Sequence, residues 1–166
     1  MNNMIDLSDI IQICILVVIL LQLHLTRKTV KADHERRRKQ ATFEYVNAVS
    51  ERFRKALYDF DKEHGIGKVV DVSNYSETDI FTVRSYLSEI ERICAGVNSE
   101  VFDYDILKKM MAGSLIENNN RFRQYIDGRR VQKHRPSLYM EFDEVTKRLK
   151  KDRNQKYENV GKINSI

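Results

Sequence analysis

Ile10-Ile-Gln-Ile-Cys-Ile-Leu-Val-Val-Ile-Leu-Leu-Gln-Leu-His-Leu25 runs for sixteen residues without a charge. With Leu7 and Ser8, and allowing for Asp9, the span approaches the ~20 residues needed to cross a hydrocarbon core. It holds no Gly or Pro, and it is apolar all round. A soluble core helix needs only one apolar stripe, so lipid is the better solvent for this one. A cleaved signal peptide would need a basic front and a small-residue cleavage site. Here Asp6 and Asp9 stand in front, and Gln-Leu-His-Leu-Thr-Arg closes the run.

The flanks orient the span. Arg27, Lys28, Lys31, Arg36, Arg37, Arg38 and Lys39 follow it, and no Lys or Arg precedes it. Positive residues stay on the cytoplasmic side. The expectation is a single-pass inner-membrane protein with residues 1–9 outside and the bulk in the cytoplasm. The collar would meet anionic lipid head groups, each Lys or Arg contributing about 1 kcal/mol. That attraction accounts for the basic run without invoking nucleic acid. Within the span, Gln12, Ile15, Ile19 and Gln22 fall on one helical face. Two readings stand for this seam. Amides hydrogen-bond between helices at about 1 kcal/mol or less each, which suggests self-association. Alternatively, Gln22 and His24 reach for the interface.

Averages conceal these two environments. Charged residues are 32% of the chain and its mean hydropathy is −0.53. The net charge of +5 is unevenly placed: 27–39 and 147–156 carry +5 each, and the rest sums to −5. Both cysteines, Cys14 in the apolar run and Cys94 on a helical core face, read as small hydrophobes.

Beyond the collar no Gly or Pro occurs before Gly65, so the anchor continues as one helix to His64. At 1.5 Å per residue, 10–64 would reach about 80 Å. Phe43, Val46, Ser50, Phe53, Leu57 and Phe60 make an apolar seam at 3-4 spacing. It pairs either with another chain as a coiled coil or with later helices of its own chain. The amphipathic helices that follow favour the second. Gly65 caps the long helix, and Ser76 or Thr78 starts the next. That helix carries Ile80, Val83, Leu87, Ile90, Cys94 and Val97, broadened by Phe81, Tyr86 and Ile93. Asp103 caps a third helix holding Ile106, Leu107, Met110, Met111, Leu115, Phe122, Tyr125 and Ile126, which Gly128 ends. Arg129–Arg135 reads as a basic loop closed by Pro136. Ser137 caps a last helix with Leu138, Phe142, Val145 and Leu149 inward.

The organisation expected is therefore all-α. Residues 1–9 form a short extracytoplasmic N-terminus, 10–26 the transmembrane helix, and 27–64 the collar and long amphipathic helix. Residues 65–79 form a loop, 80–150 an antiparallel helical bundle, and 151–166 a flexible basic tail.

No catalytic motif is present. The histidines, His24, His34, His64 and His134, lack a second ligand at zinc-site spacing. No phosphate loop, nucleophile elbow or Cys-x-x-Cys occurs. The expectation is no metal, no cofactor and no enzymatic activity. Glu91, at the margin of the second helix's stripe, is the carboxylate of most interest. It is expected to pair with an Arg from a facing helix: Arg123, Arg129 or Arg130. Arg121, Arg123, Arg129, Arg130, Lys133 and Arg135 form a second cationic cluster, read as a solvated face with internal ion pairs. Phosphate or an acidic partner is the alternative. Aromatic residues are not interleaved with these charges, as they are in single-strand binders.

Residues 83–150 carry further detail. Tyr86-Leu87-Ser88-Glu89-Ile90-Glu91-Arg92-Ile93-Cys94-Ala95-Gly96 precedes Tyr104-Asp105, Tyr125-Ile126-Asp127-Gly128-Arg129-Arg130 and Pro136-Ser137-Leu138-Tyr139. This resembles a bacterial family, the domain of unknown function 4760. Its pattern joins Tyr-Leu-Asn-x-x-Glu-x-Ile-Ala and a Gly to an Ile-Asp turn, Tyr-Ile-x-x-Arg-Arg and a Pro-x-x-Tyr helix. Ser88 stands where Asn is usual. The resemblance implies a helical fold and membrane association, and it brings no activity.

Three functions remain open on the sequence. The first is a membrane-tethered helical interaction module with an unknown protein partner or a second copy of itself. The second is a membrane-acting effector, such as a toxin or phage-defence component, assembling through its anchor. The third is an enzyme using Glu91 and the arginine cluster on a phosphorylated substrate.

Overall fold

The computed structural model describes the backbone of residues 7–163 and the side chains of residues 11–155. Every described element is helical. Helix α1 spans Leu7–His64, α2 Glu77–Asn98, α3 Tyr104–Arg121, α4 Arg123–Gln132 and α5 Met140–Ile163, with a 3-10 turn at Val72–Asn74. The chain divides into two compact units, 1–38 and 39–166. The expected extracytoplasmic segment 1–9 lies largely outside the described residues.

In the first unit, every described side chain from Ile11 to Arg37 is exposed. This part of α1 is long and apolar enough to span a membrane.

The second unit holds the core. Val46, Val49, Phe53 and Phe60 of α1 join Val83, Leu87, Ile90, Ile93 and Cys94 of α2. Leu107 and Leu115 of α3, Ile126 of α4, and Phe142, Val145 and Leu149 of α5 complete it. The direction of each helix follows from cross-contacts. Phe53 meets Tyr86 and His64 meets Asp79, so α1 and α2 are antiparallel. Tyr104 reaches Asp152 and Asn119 reaches Asp143, so α3 and α5 are antiparallel. The result is an up-down-up-down bundle, with α5 packed on both α2 and α3.

The α1 seam packs within its own chain, though on a face rotated from the expected one. Phe43 is exposed, and Ser50 is too. Thr42 and Val49 take the inner positions. Thr42 turns inward because its hydroxyl accepts a 2.7 Å hydrogen bond from the Asp103 amide. A polar residue is thereby satisfied at a site that hydropathy alone assigns outside. Ile80 and Phe81 are likewise exposed, although Tyr86 and Ile93 are buried.

Local signals set most helix starts. Ser76 and Asp79 form a reciprocal capping box on α2. Asp103 caps α3 by accepting from the Ile106 amide. Gly65, at φ +88°, ends α1 in the left-handed region. Gly96 serves a different need: a Cβ there would lie 2.3 Å from the Phe102 ring. The α2–α3 turn folds back tightly enough that only hydrogen fits.

Four expected boundaries differ. The third expected helix breaks at Phe122, which is wholly buried and whose amide bonds back to Asn118 and Asn120. Three consecutive asparagines weaken the helix there. Gly128 lies inside α4, so Arg129–Gln132 is helical and not loop. The final helix starts at Met140 instead of Ser137, and it continues to Ile163 where a tail was expected. Past the buried stripe, 150–158 is rich in Lys, Arg, Gln and Glu, which favour helix without needing a core.

Candidate functional site

Four helices converge where α5 begins, and its polar residues form two separate constellations. One is an ion-pair hub on Asp143. Arg123 donates to Asp143 at 2.7 Å and Arg130 donates to it at 2.8 Å. The Asn119 amide donates to the same carboxylate at 2.8 Å. Burial alone would raise the Asp143 pKa, but these three donors outweigh it and hold the carboxyl well below its ordinary range.

Glu91 takes no part in that hub, contrary to expectation. Its two oxygens accept the backbone amides of Phe142, at 2.8 Å, and Glu141, at 3.2 Å. It is thus the N-cap of α5, supplied from α2. A local search for a cap finds Ser137, which precedes the helix by a turn. Tyr139, at φ +59°, redirects the chain into α5. The arginines it was matched with go elsewhere: Arg123 and Arg130 to Asp143, and Arg129 to the Gln132 side chain.

Burial pushes the Glu91 carboxyl up, only partly offset by the two amides. A raised carboxylate pKa means the folded state binds its proton more readily than the unfolded state. Glu91→Gln should nonetheless lower stability by about 1 kcal/mol at neutral pH, the scale of a lost cap, because one amide oxygen cannot replace both acceptors. The gap between wild type and variant should widen as pH falls through the raised Glu91 pKa toward about 4.3. Urea unfolding across that range measures both effects.

The second constellation is a cationic cavity of about 460 Å³. Arg84 and Ser88 of α2, Arg129 of α4, and Lys133, Arg135, Leu138 and Tyr139 of the α4–α5 turn line it. Among the described residues, none of these four cations forms an ion pair. The Nε of Arg129 is shut off from solvent with no acceptor, and so is the hydroxyl of Tyr125. Arg129 also borders a second recess of about 510 Å³, walled by Val72, Ile80, Tyr125 and Gly128. The expected cationic cluster is thus divided. Arg123 and Arg130 are neutralised within the fold, and Arg129, Lys133 and Arg135 face the cavity. Arg84 was missed, although Arg84, Ser88 and Glu91 lie on one face of α2 at helical spacing.

Arg121 is also internal, and only 5% of its side chain is exposed. It donates to Asp61 and to the carbonyls of Gly65 and Lys68. Its guanidinium lies 4.9 Å from the Phe60 ring centre and 5.4 Å from that of Phe122. Nearby, Glu63, His64 and Asp79 bring their potential ligand atoms within 4.8 Å of one another. Sequence spacing hid this group because Asp79 comes from beyond the loop. Its carboxylate already accepts from the Ser76 amide and hydroxyl and meets His64 Nε2 at 3.1 Å. Burial would raise the Asp79 pKa, but those bonds outweigh it and keep the group ionised below its usual range.

In the first unit, Gln12, Ile15, Ile19 and Gln22 are all exposed on α1. So are the collar residues Arg27, Lys28, Lys31, Arg36 and Arg37, whereas Arg38 is half-buried; Lys39, the first residue of the second unit, is exposed. Arg37 pairs with Asp33 one turn earlier at 2.8 Å. Cys14 and Cys94 are both free thiols.

No curated protein matches this chain, and no solved structure does. A family model does match, over residues 9–149, which is most of the sequence. This chain belongs to the domain of unknown function 4760 family.

Proposed function

We propose that this protein is a membrane-tethered helical interaction module. The apolar run of α1 places it in the bilayer, and the bundle presents a surface to a protein partner or to a second copy. One observation carries the reading: Ile11, Ile13, Ile15, Leu16, Val17, Val18, Ile19, Leu20, Leu21, Leu23 and Leu25 are each about half exposed, on all sides of the helix. A continuous apolar surface of that kind is unstable in water. The second unit has a closed core of its own, which supports an anchor role for the run. In this reading the collar keeps the bundle on the cytoplasmic side and itself meets anionic lipid.

The full-length chain should remain in the membrane pellet after alkaline carbonate extraction. Leu16→Arg should move a large share to the supernatant, because Arg at the centre of a span opposes insertion by about 3 kcal/mol. Release of the wild-type chain by carbonate would reject the anchor. Crosslinking in native membranes should capture a defined complex through residues 39–166. A bundle that crosslinks to nothing would reject the interaction role.

A further inference from the structure

We propose that the cavity between α2, α4 and the α4–α5 turn is a binding site for a phosphomonoester. Arg84, Arg129, Lys133 and Arg135 surround it. A fold gains nothing by gathering four like charges around a hollow, since their repulsion opposes it. Elsewhere the same helices neutralise their cations: Arg123 and Arg130 share Asp143. Glu91 lines the adjoining space with Arg135. Both Glu91 oxygens are taken by the amides that start α5. It closes that helix end to any other anion, and its single charge leaves the four cations around the cavity in excess.

The Arg129 side chain lines the cavity, and its Nε is buried without an acceptor, which is rare in folded proteins. A phosphoryl dianion offers three acceptor oxygens and matches guanidinium forks in geometry. A carboxylate, with one charge, would leave most of the cluster uncompensated. The ester's organic part has a place as well. Arg129 also borders the recess walled by Val72, Ile80 and Tyr125, so the phosphoryl group and its less polar body would lie on either side of one arginine. A cavity of about 460 Å³ suits a small ligand. The proposal concerns the bundle alone and stands whether or not α1 spans a bilayer.

The experiment uses the full chain in phosphatidylcholine nanodiscs, titrated with glycerol 3-phosphate in a calorimeter. A parallel arm incorporates phosphatidic acid, a lipid with the same monoester group. Sulfate and neutral glycerol serve as controls. Arg84→Gln and Lys133→Gln change exposed side chains and should leave the circular dichroism and melting curves unaltered. Glycerol 3-phosphate binding that weakens about tenfold in each variant supports the site, on the scale of one charge-assisted hydrogen bond. Affinity should also rise with pH through about 6, where the monoester becomes a dianion. Binding confined to the phosphatidic acid arm, with the same loss in the variants, assigns the ligand as a lipid head group. The proposal is overturned if neither arm shows binding. Binding that the two variants leave unchanged, or that sulfate matches, overturns it equally.

Discussion

Arg121→Ala should lower the stability of the helical unit by about 4 kcal/mol. The residue joins the end of α1, the loop after it and the end of α3 through one guanidinium. Truncation leaves Asp61 without its partner, the Lys68 carbonyl without a donor, the Gly65 carbonyl with only the Lys68 amide at 3.5 Å, and a void between Phe60 and Phe122. Breaking one side of a buried pair has effects of about 3–5 kcal/mol. Lysine would restore the charge but not the fork, so Arg121→Lys should recover only part of the loss. Chemical denaturation with a fluorescence or circular dichroism signal measures both. A loss for Arg121→Ala below about 1 kcal/mol, the range of a surface ion pair, would contradict this role.

The second large effect is expected at Asp143. Asp143→Asn leaves Arg123 and Arg130 facing each other with only the more exposed Asp127, at 3.7 and 3.4 Å, as counter-charge. The bridge is partly open to water, since the side chains of Asp143 and Arg123 are 30% and 37% exposed. Solvent screening therefore reduces the expected loss to about 2–3 kcal/mol at neutral pH. Its pH dependence has a definite sign. The folded-state pKa of Asp143 is depressed, so its contribution is complete above the unfolded value of about 3.9. It is lost as pH falls from there toward the folded pKa. Wild-type protein should thus lose stability on that acid limb more steeply than the variant. Parallel limbs would mean that Asp143 does not hold the arginines in solution.

These two hubs mark where the sequence stops being legible. Periodicity and caps are local signals, and they located α1, α2 and the start of α3 through Gly65, Ser76 and Asp103. They failed where a distant side chain acts. Thr42 looks like a surface residue until Asp103 donates to it. The start of α5 has no local cap, because Glu91 supplies it from fifty residues upstream. The arginine cluster was visible as composition. Its division into neutralised and open members was not, since that depends on which arginines reach Asp143. Arg84 belongs to the open set only because α2 crosses beside the α4–α5 turn.

The Glu91 cap has a further consequence for the order in which the chain organises itself. On a ribosome, Glu91 emerges long before Phe142, and α2 can consolidate against α1 through local contacts while the rest is still being made. The first turn of α5 has no such independence. Its amides gain their acceptor only when the last helix docks on α2. Closure of the bundle and definition of that helix start are therefore a single late event. Destabilising the cap should mainly accelerate unfolding and leave the rate of folding nearly unchanged.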